Sequence, residues 1–274
     1  MQAQAYLQSG DPQKALSTLT EQVRKNPAKV ELRVFLFQLL SILGQWERAL
    51  TQLNVAAEMD SDAWLMAQVY RPALNCEVLR SNVFQGKRTP LCFGEPLAWM
   101  AWLMQLPGLI AAGQSRAASD LRDQAFDAAS SISGQINGQS FSWIADSDER
   151  LGPTFEAIIN GKYYWIPFER IREIRIEKPV NLRDVIWVTA TFTWINHGHS
   201  VGLIPSRYPG SEEDKDSALQ MSRKTVWRDV GNNFFVGMGQ RMLATNQGEY
   251  PLLEIRELVF DHLENPTKED LKHG

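Results

Sequence analysis

The feature that most constrains this chain is a match with itself at an offset of 34 residues. Gly10 falls on Gly44, Lys14 on Arg48, Ala15 on Ala49, Leu16 on Leu50, Ser17 on Thr51 and Leu19 on Leu53. That period belongs to the tetratricopeptide repeat, a helix–turn–helix unit that hides its apolar face only by stacking on a neighbour. The residues suit the geometry. Gly10 and Gly44 let the chain reverse sharply between antiparallel helices. Ala15 and Ala49 are small where helices cross closely, and Leu19 and Leu53 fill the space between units. Pro27 follows the second helix of the first unit, where its missing N–H does no harm. The first unit lacks part of its leading helix, and continuing the period puts Val78 where a third glycine would stand, so the regular repeat fades there.

Helical spacing continues beyond the repeat. Asp62 is placed to cap a segment running to about Arg80, with a kink at Pro72. Gly94-Glu95-Pro96 opens a helix reading Leu97, Trp99, Met100, Trp102, Leu103 and Leu106. Ser115 is placed to cap another, with Ala118, Leu121, Ala125 and Ala129 on one stripe. Five to seven helices are expected up to about Ile136.

After Gly134-Gln-Ile-Asn-Gly138 the apolar period drops to two. In Val185–Ile195, the residues Ile186, Val188, Ala190, Phe192 and Trp194 point one way, and Trp187, Thr189, Thr191 and Thr193 the other. Further strands are expected at Tyr163–Ile166, Ile171–Glu177, Val201–Ile204, Thr225–Val230 and Leu252–Phe260. Asn160-Gly161 reads as a hairpin turn between Ala157–Ile159 and Lys162–Trp165, although Leu151–Ile159 also reads as a short helix. A short helix is expected from Asp216 to Ser222. The class is α+β: a tetratricopeptide-like helical domain over residues 1–136, a domain with a mixed or antiparallel sheet over 140–264, and a charged tail over 265–274.

Composition narrows the partners. The 28 basic and 32 acidic side chains leave a net charge of -4, not the basic surplus that holds a phosphate backbone, so nucleic acid is not expected. The most apolar stretch, Leu97–Ala112, contains Gln105, Pro107 and Gly108 and is too short to span a membrane. The N-terminus does not read as a signal peptide. Cys76 and Cys92 form no CxxC pair, and Cys76 has the apolar neighbours of a core residue. A reducing cytoplasm is the expected setting.

Two groups invite a catalytic reading. His197 and His199 stand at i and i+2 and could share a metal, but a site needs a third ligand, and the other histidines, His262 and His273, are distant in sequence. Asn196–Ser200 reads equally as a polar turn. Asp146, Asp148 and Glu149 bring three carboxylates together, as a hydrolase pair would require, yet such groups more often cap a helix, pair with Arg150 or face water. No Ser-hydrolase, phosphate-loop or zinc-protease signature is present. No cofactor is expected.

Several ordered blocks carry a resemblance. They are Phe141–Pro153, Glu156, Gly161–Pro167, Leu182–Trp187, Pro205–Glu212, Arg223–Trp227 and Gly239-Gln240-Arg241. These resemble the ImpE/SciE/TagJ family of accessory proteins in bacterial type VI secretion, and the helical half resembles the N-terminal part of the same proteins. The resemblance implies a non-enzymatic adaptor. Its expected partners are the N-terminal helix of the small sheath subunit and the ClpV-type AAA+ ATPase that disassembles the contracted sheath. The competing reading is a hydrolase or metal-dependent enzyme using Asp146/Asp148 or His197/His199. Two surfaces are candidates for the partner. The concave side of the repeat would present Glu31, Val34, Gln38 and Ser41. The rival, favoured for its aromatic and arginine content, comprises Trp143, Arg150, Tyr164, Trp165 and Arg241.

Overall fold

The computed structural model describes residues 2–95 and 97–262. The 34-residue match is a physical repeat. Helices α1 (Gln2–Gln8) and α2 (Pro12–Lys25) form one antiparallel pair, and α3 (Val30–Ile42) and α4 (Trp46–Met59) the next. Gly10 and Gly44 both adopt positive φ, 82° and 66°. The N–H of Gly10 bonds Leu7 and that of Asp11 bonds Tyr6; 34 residues on, Gly44 bonds Ser41 and Gln45 bonds Leu40. This is the same glycine-terminated helix cap, used twice. Ala15, Leu19, Ala49 and Leu53 are all fully buried.

The repeat fades because the next helix is too long. Helix α5 runs from Ser61 to Phe84, 24 residues, so its glycine turn comes at Gly86 and leaves Val78 on an exposed helix face. Its N-cap is Asp60, whose carboxylate accepts from the N–H groups of Asp62 and Ala63, and not Asp62 as the sequence reading had it. Pro72 lies within the helix. The expected single helix after Gly94 is two: α6 (Ala98–Leu103) and α7 (Leu106–Ala111). Pro107 sits in the first turn of α7, where proline is tolerated, so it starts a new helix instead of continuing the old one. Pro96 is outside the described residues. Helix α8 (Ser115–Ala128) begins at Ser115 without a side-chain cap bond, and Ala118 and Ala125 face inward. That makes eight helices among the described residues before Gly134, against the five to seven expected.

One short strand, β1 (Leu91–Cys92), interrupts the helices and joins the edge of the main sheet, pairing in parallel with Tyr164 and Trp165. The remaining strands of that sheet are β2 (Gly134–Ile136), β3 (Gln139–Phe141), β5 (Thr154–Ile159), β6 (Lys162–Pro167), β7 (Ile171–Ile176), β8 (Trp187–Trp194), β9 (His199–Pro205) and β14 (Glu257–Phe260). Their order is β1-β6-β5-β9-β8-β7-β14-β2-β3, antiparallel throughout except for β1. A three-stranded sheet joins β4 (Ile144–Asp146), β12 (Met242–Thr245) and β13 (Gly248–Pro251), and a hairpin pairs β10 (Thr225–Asp229) with β11 (Phe235–Gly239). Helix α9 (Ser217–Gln220) is capped by Asp216.

The hairpin at Asn160-Gly161 forms, both residues at positive φ, and Leu151–Ile159 is not a helix. A Cβ on Gly161 would stand 2.9 Å from the Pro72 ring, so this turn needs glycine for its close approach to α5 as well as for its φ. Leu252–Phe260 is not one strand: Leu252–Glu254 turns as a 3-10 helix before β14.

The alternation in β8 sorts two cores. Val188, Ala190, Phe192 and Trp194 join a cluster on the face away from the helices, with Phe155, Ile174 and Leu258. Trp187 points to the opposite face, where Ile158, Tyr163, Trp165 and Leu203 meet the helices in a second, shared cluster. Ile186 departs from the expected alternation: it precedes the strand in an αR conformation and joins the helix-side cluster. The expected charged tail, Asn265–Gly274, lies outside the described residues.

Candidate functional site

The acidic block turns inward. Asp146 ends β4, and Asp148 lies two residues on in the turn toward β5; both are buried, so of the structural readings the pairing with Arg150 holds for Asp148 and facing water does not. Asp148 receives both Nε and Nη2 of Arg150, at 2.8 and 2.5 Å, and the N–H of Gly237. Asp146 receives Nε and Nη2 of Arg241, at 3.0 and 2.7 Å, and the Tyr208 hydroxyl at 2.9 Å. Glu149 pairs with Arg122 of α8 at 2.6 Å.

These pairs are one end of a network across the seam between helices and sheet. Arg80 of α5 clamps Glu156 of β5 with Nε at 2.7 Å and Nη2 at 2.9 Å, and Nη2 also donates to the Arg207 carbonyl. The Tyr163 hydroxyl donates to Glu156, Trp165 Nε1 donates to Tyr163, and Trp187 Nε1 donates to Glu77. Arg207 reaches the carbonyls of Ser41 and Ile42, satisfying the C-terminal end of α3. Burial pushes the Asp146 carboxyl up to about 6 and raises that of Glu77. Burial also opposes ionisation of Glu156, but Arg80 and Arg241 outweigh it and hold that carboxyl below its ordinary value. Each carboxylate here is matched to an arginine, which is the condition for keeping charges in a core.

The histidines stand apart from this network. His197 occupies the β8–β9 turn at φ 62°, exposed, and His199 lies in β9 with Nδ1 3.1 Å from the Thr193 hydroxyl. His262 bonds the Ile171 carbonyl at 2.7 Å, and His273 is outside the described residues. Among the described residues, no group of three or more His, Cys, Asp or Glu is placed to hold a metal ion. Cys76 is buried with its thiol pushed up to about 12 by that burial, and its Sγ donates to the Gly161 carbonyl.

Neither expected binding surface forms as such. Of the favoured set, Trp165 and Arg241 are 0% exposed and Arg150 is buried beneath Phe84, in the seam. Tyr164 is half-buried against Phe93, and only Trp143, 41% exposed, stands at the surface. The reason is charge matching and ring packing: Arg241 pairs with the distant Asp146, Arg150 with its neighbour Asp148, and Trp165 packs on Phe84 of α5, so these residues bind their own chain. The concave side of the repeat is also taken. Gln38 accepts the backbone N–H of Arg183, Ser41 is fully buried, and the turn Leu182–Val185 rests on α3. Glu31 and Val34 remain at its edge, Glu31 exposed and Val34 half-buried.

A different surface is left open. Between α5 and the sheet lies a trough of about 690 Å³. One wall is α5, through Leu65, Met66, Val69, Tyr70 and Pro72. The other is the sheet, through Ile158, Thr189, Val201 and Leu203. Leu65 is 60% exposed, Val69 50% and Val201 65%, and Trp64 stands half-exposed beside them. Leu65, Val69 and Pro72 repeat at i, i+4 and i+7, the stripe of a helix that expects a neighbour. The sequence carries this stripe, but spacing alone does not distinguish it from a helix face covered by the chain itself.

The comparisons agree with this architecture. The family model described as ImpE protein matches residues 138–259, and a tetratricopeptide repeat model matches residues 6–69. The type VI secretion system accessory component TagJ of Pseudomonas aeruginosa is 45% identical over 261 residues, covering 95% of this chain and 92% of that protein. The crystal structure of protein VPA1032 from Vibrio parahaemolyticus superimposes with a TM-score of 0.88 over 96% of this chain and 99% of that one, at 23% identity, and so shares the fold. The chain belongs to the ImpE/TagJ family of type VI secretion accessory proteins.

Proposed function

We propose that the protein is a non-enzymatic, cytoplasmic adaptor of type VI secretion that seats a partner's amphipathic helix in the trough beside α5. The partner is the N-terminal helix of the small sheath subunit, and a second contact is made with the ClpV-type ATPase that disassembles the sheath. The observation that carries the reading is the trough itself: an apolar stripe on α5, with Leu65 and Val69 exposed, facing the exposed Val201 of the sheet, in a protein whose repeat groove is already occupied by its own chain. Apolar exposure of this kind marks an interaction site, and helix-in-groove docking uses the i, i+4, i+7 spacing found here. The relative's role as an accessory component supports a protein partner. The acidic residues support no catalytic alternative, because Asp146 and Asp148 are sequestered with arginines.

The test is capture of the cognate small sheath subunit by the purified protein. Binding is expected for the intact subunit, and loss of it when that subunit's first helix is removed or when Val69 is changed to Asp. Undiminished binding by the shortened subunit and by the Val69→Asp protein would overturn the reading.

A further inference from the structure

The trough lining is largely apolar, with Gln68, Asn160 and Thr189 as neutral polar residues, and Arg183 is the one charged residue among the described residues that line it. Arg183 stands in its lining, on the turn Leu182–Val185. Its position is fixed from several sides. The backbone N–H donates to Gln38 at 3.1 Å, Nε donates to the Tyr70 hydroxyl at 2.9 Å, and the guanidinium lies over the Tyr70 ring. Asp184 is 3.9 Å from Nε, on that same side, and its other oxygen already accepts the N–H groups of Val180 and Asn181. Glu177 reaches the site only as a more distant charge felt by Tyr70.

The opposite edge of the guanidinium has no oxygen. Nη1 meets the Met66 sulfur at 3.4 Å, and Nη2 makes no hydrogen bond to a described residue. A thioether is a weak acceptor, and arginine brings five donors in a fixed fork. The Arg183 side chain is 20% exposed, so solvent has access to it while the trough is open. A helix that fills the trough removes the water, and an unanswered guanidinium edge then opposes binding. A carboxylate answers it best, because its two oxygens match the fork.

We infer that the trough selects an amphipathic helix with an acidic side chain set within its apolar stripe, the carboxylate lying against the Nη edge of Arg183. This rests on the adaptor reading above. The length fits: Leu65 to Pro72 spans about 10 Å of helix at 1.5 Å per residue, two turns. Met66 and Tyr70 flank the arginine within that span, so the acid stands between apolar anchors instead of beyond them. A helix seated there continues the layer formed by α3, α4 and α5 across the uncovered sheet.

The experiment measures fluorescence anisotropy of a synthetic peptide spanning the first helix of the cognate small sheath subunit. It is read against the wild-type protein, Arg183→Gln and Val69→Asp, with each Asp or Glu of the peptide changed in turn to Asn or Gln. One acidic residue on the peptide's apolar face is expected to matter. Its neutralisation weakens binding to wild type about tenfold and has little further effect on Arg183→Gln, the signature of a direct pair. The inference is overturned if every neutralised peptide binds as the parent does, or if the loss is as large with Arg183→Gln. Because Arg183 also holds Tyr70, the peptide substitutions test the contact without altering the protein. Failure of the adaptor reading looks different: the parent peptide does not bind wild type, or Val69→Asp leaves its affinity unchanged, and the inference falls with it.

Discussion

Arg80, Arg241 and Trp165 are buried in the seam, where Arg80 and Trp165 tie the helices to the sheet and Arg241 pairs with Asp146. Arg80 brings charge from α5 into the sheet, and Glu156 meets it with both oxygens. Removing one partner of such a buried pair leaves the other uncompensated, so Glu156→Ala is expected to cost about 3–5 kcal/mol in chemical unfolding. Trp165→Ala empties a fully buried site and is expected to cost about 3–5 kcal/mol, with affinity per folded molecule unchanged. A selective loss of partner affinity at wild-type stability would restore Trp165 as an anchor. Asp146 supplies a pH signature. Its carboxyl is raised from 3.8 to about 6 by burial, so the folded state holds that proton more tightly than the unfolded chain does. Its contribution to stability is therefore present below the ordinary value and is lost as pH rises to about 6. Glu156, held low, acts oppositely: its contribution is present above its ordinary value and is lost as pH falls. A carbon-13 titration of the Asp146 carboxyl should give a midpoint near 6; one below the ordinary value would show that Arg241 outweighs burial.

At the scale of elements, the repeat is the part that could be read directly. Ala49 is fully buried at the α3–α4 crossing, and Ala49→Leu is expected to overpack it by about 1–3 kcal/mol, read as a lowered denaturation midpoint. An unchanged midpoint would mean the crossing has room. Gly10, Gly44, Ala15 and Ala49 announced this geometry because helix turns and close crossings are local and admit few residue types. The β8 alternation and the Asn160-Gly161 hairpin were legible for the same reason. The seam was not. Arg80 and Glu156 are separated by 76 residues, and Asp146 and Arg241 by 95, so nothing in either neighbourhood shows that it will be covered. The pairing of Arg150 with a neighbouring carboxylate was legible because it is local, but the burial of that run was not, and Trp165 with Arg241 reads as a surface. The trough was hidden differently. Leu65, Val69 and Pro72 are visible as a stripe, but a stripe does not say whether the chain itself supplies the neighbour.

The whole molecule is a helical layer laid on one face of a large sheet and stopping short of covering it. The seam under α3–α5 is closed by aromatic packing, with Tyr70 and Trp46 against Trp187, and by the arginine network, while the turn Leu182–Val185 fills the concave side of the repeat. The trough is the surface proposed for the partner. Since Leu65 is largely exposed, Leu65→Asp is expected to leave stability within about 0.5 kcal/mol of wild type while abolishing capture of the sheath subunit. A large loss of stability instead would mean that Leu65 supports the fold. The most direct test of the central claim places a photo-crosslinking residue at Leu65, at Trp143 or at Glu31, in otherwise intact protein mixed with the small sheath subunit. The account predicts capture of that subunit's first helix from Leu65 and not from Trp143 or Glu31; capture from either of those positions with none from Leu65 would contradict it.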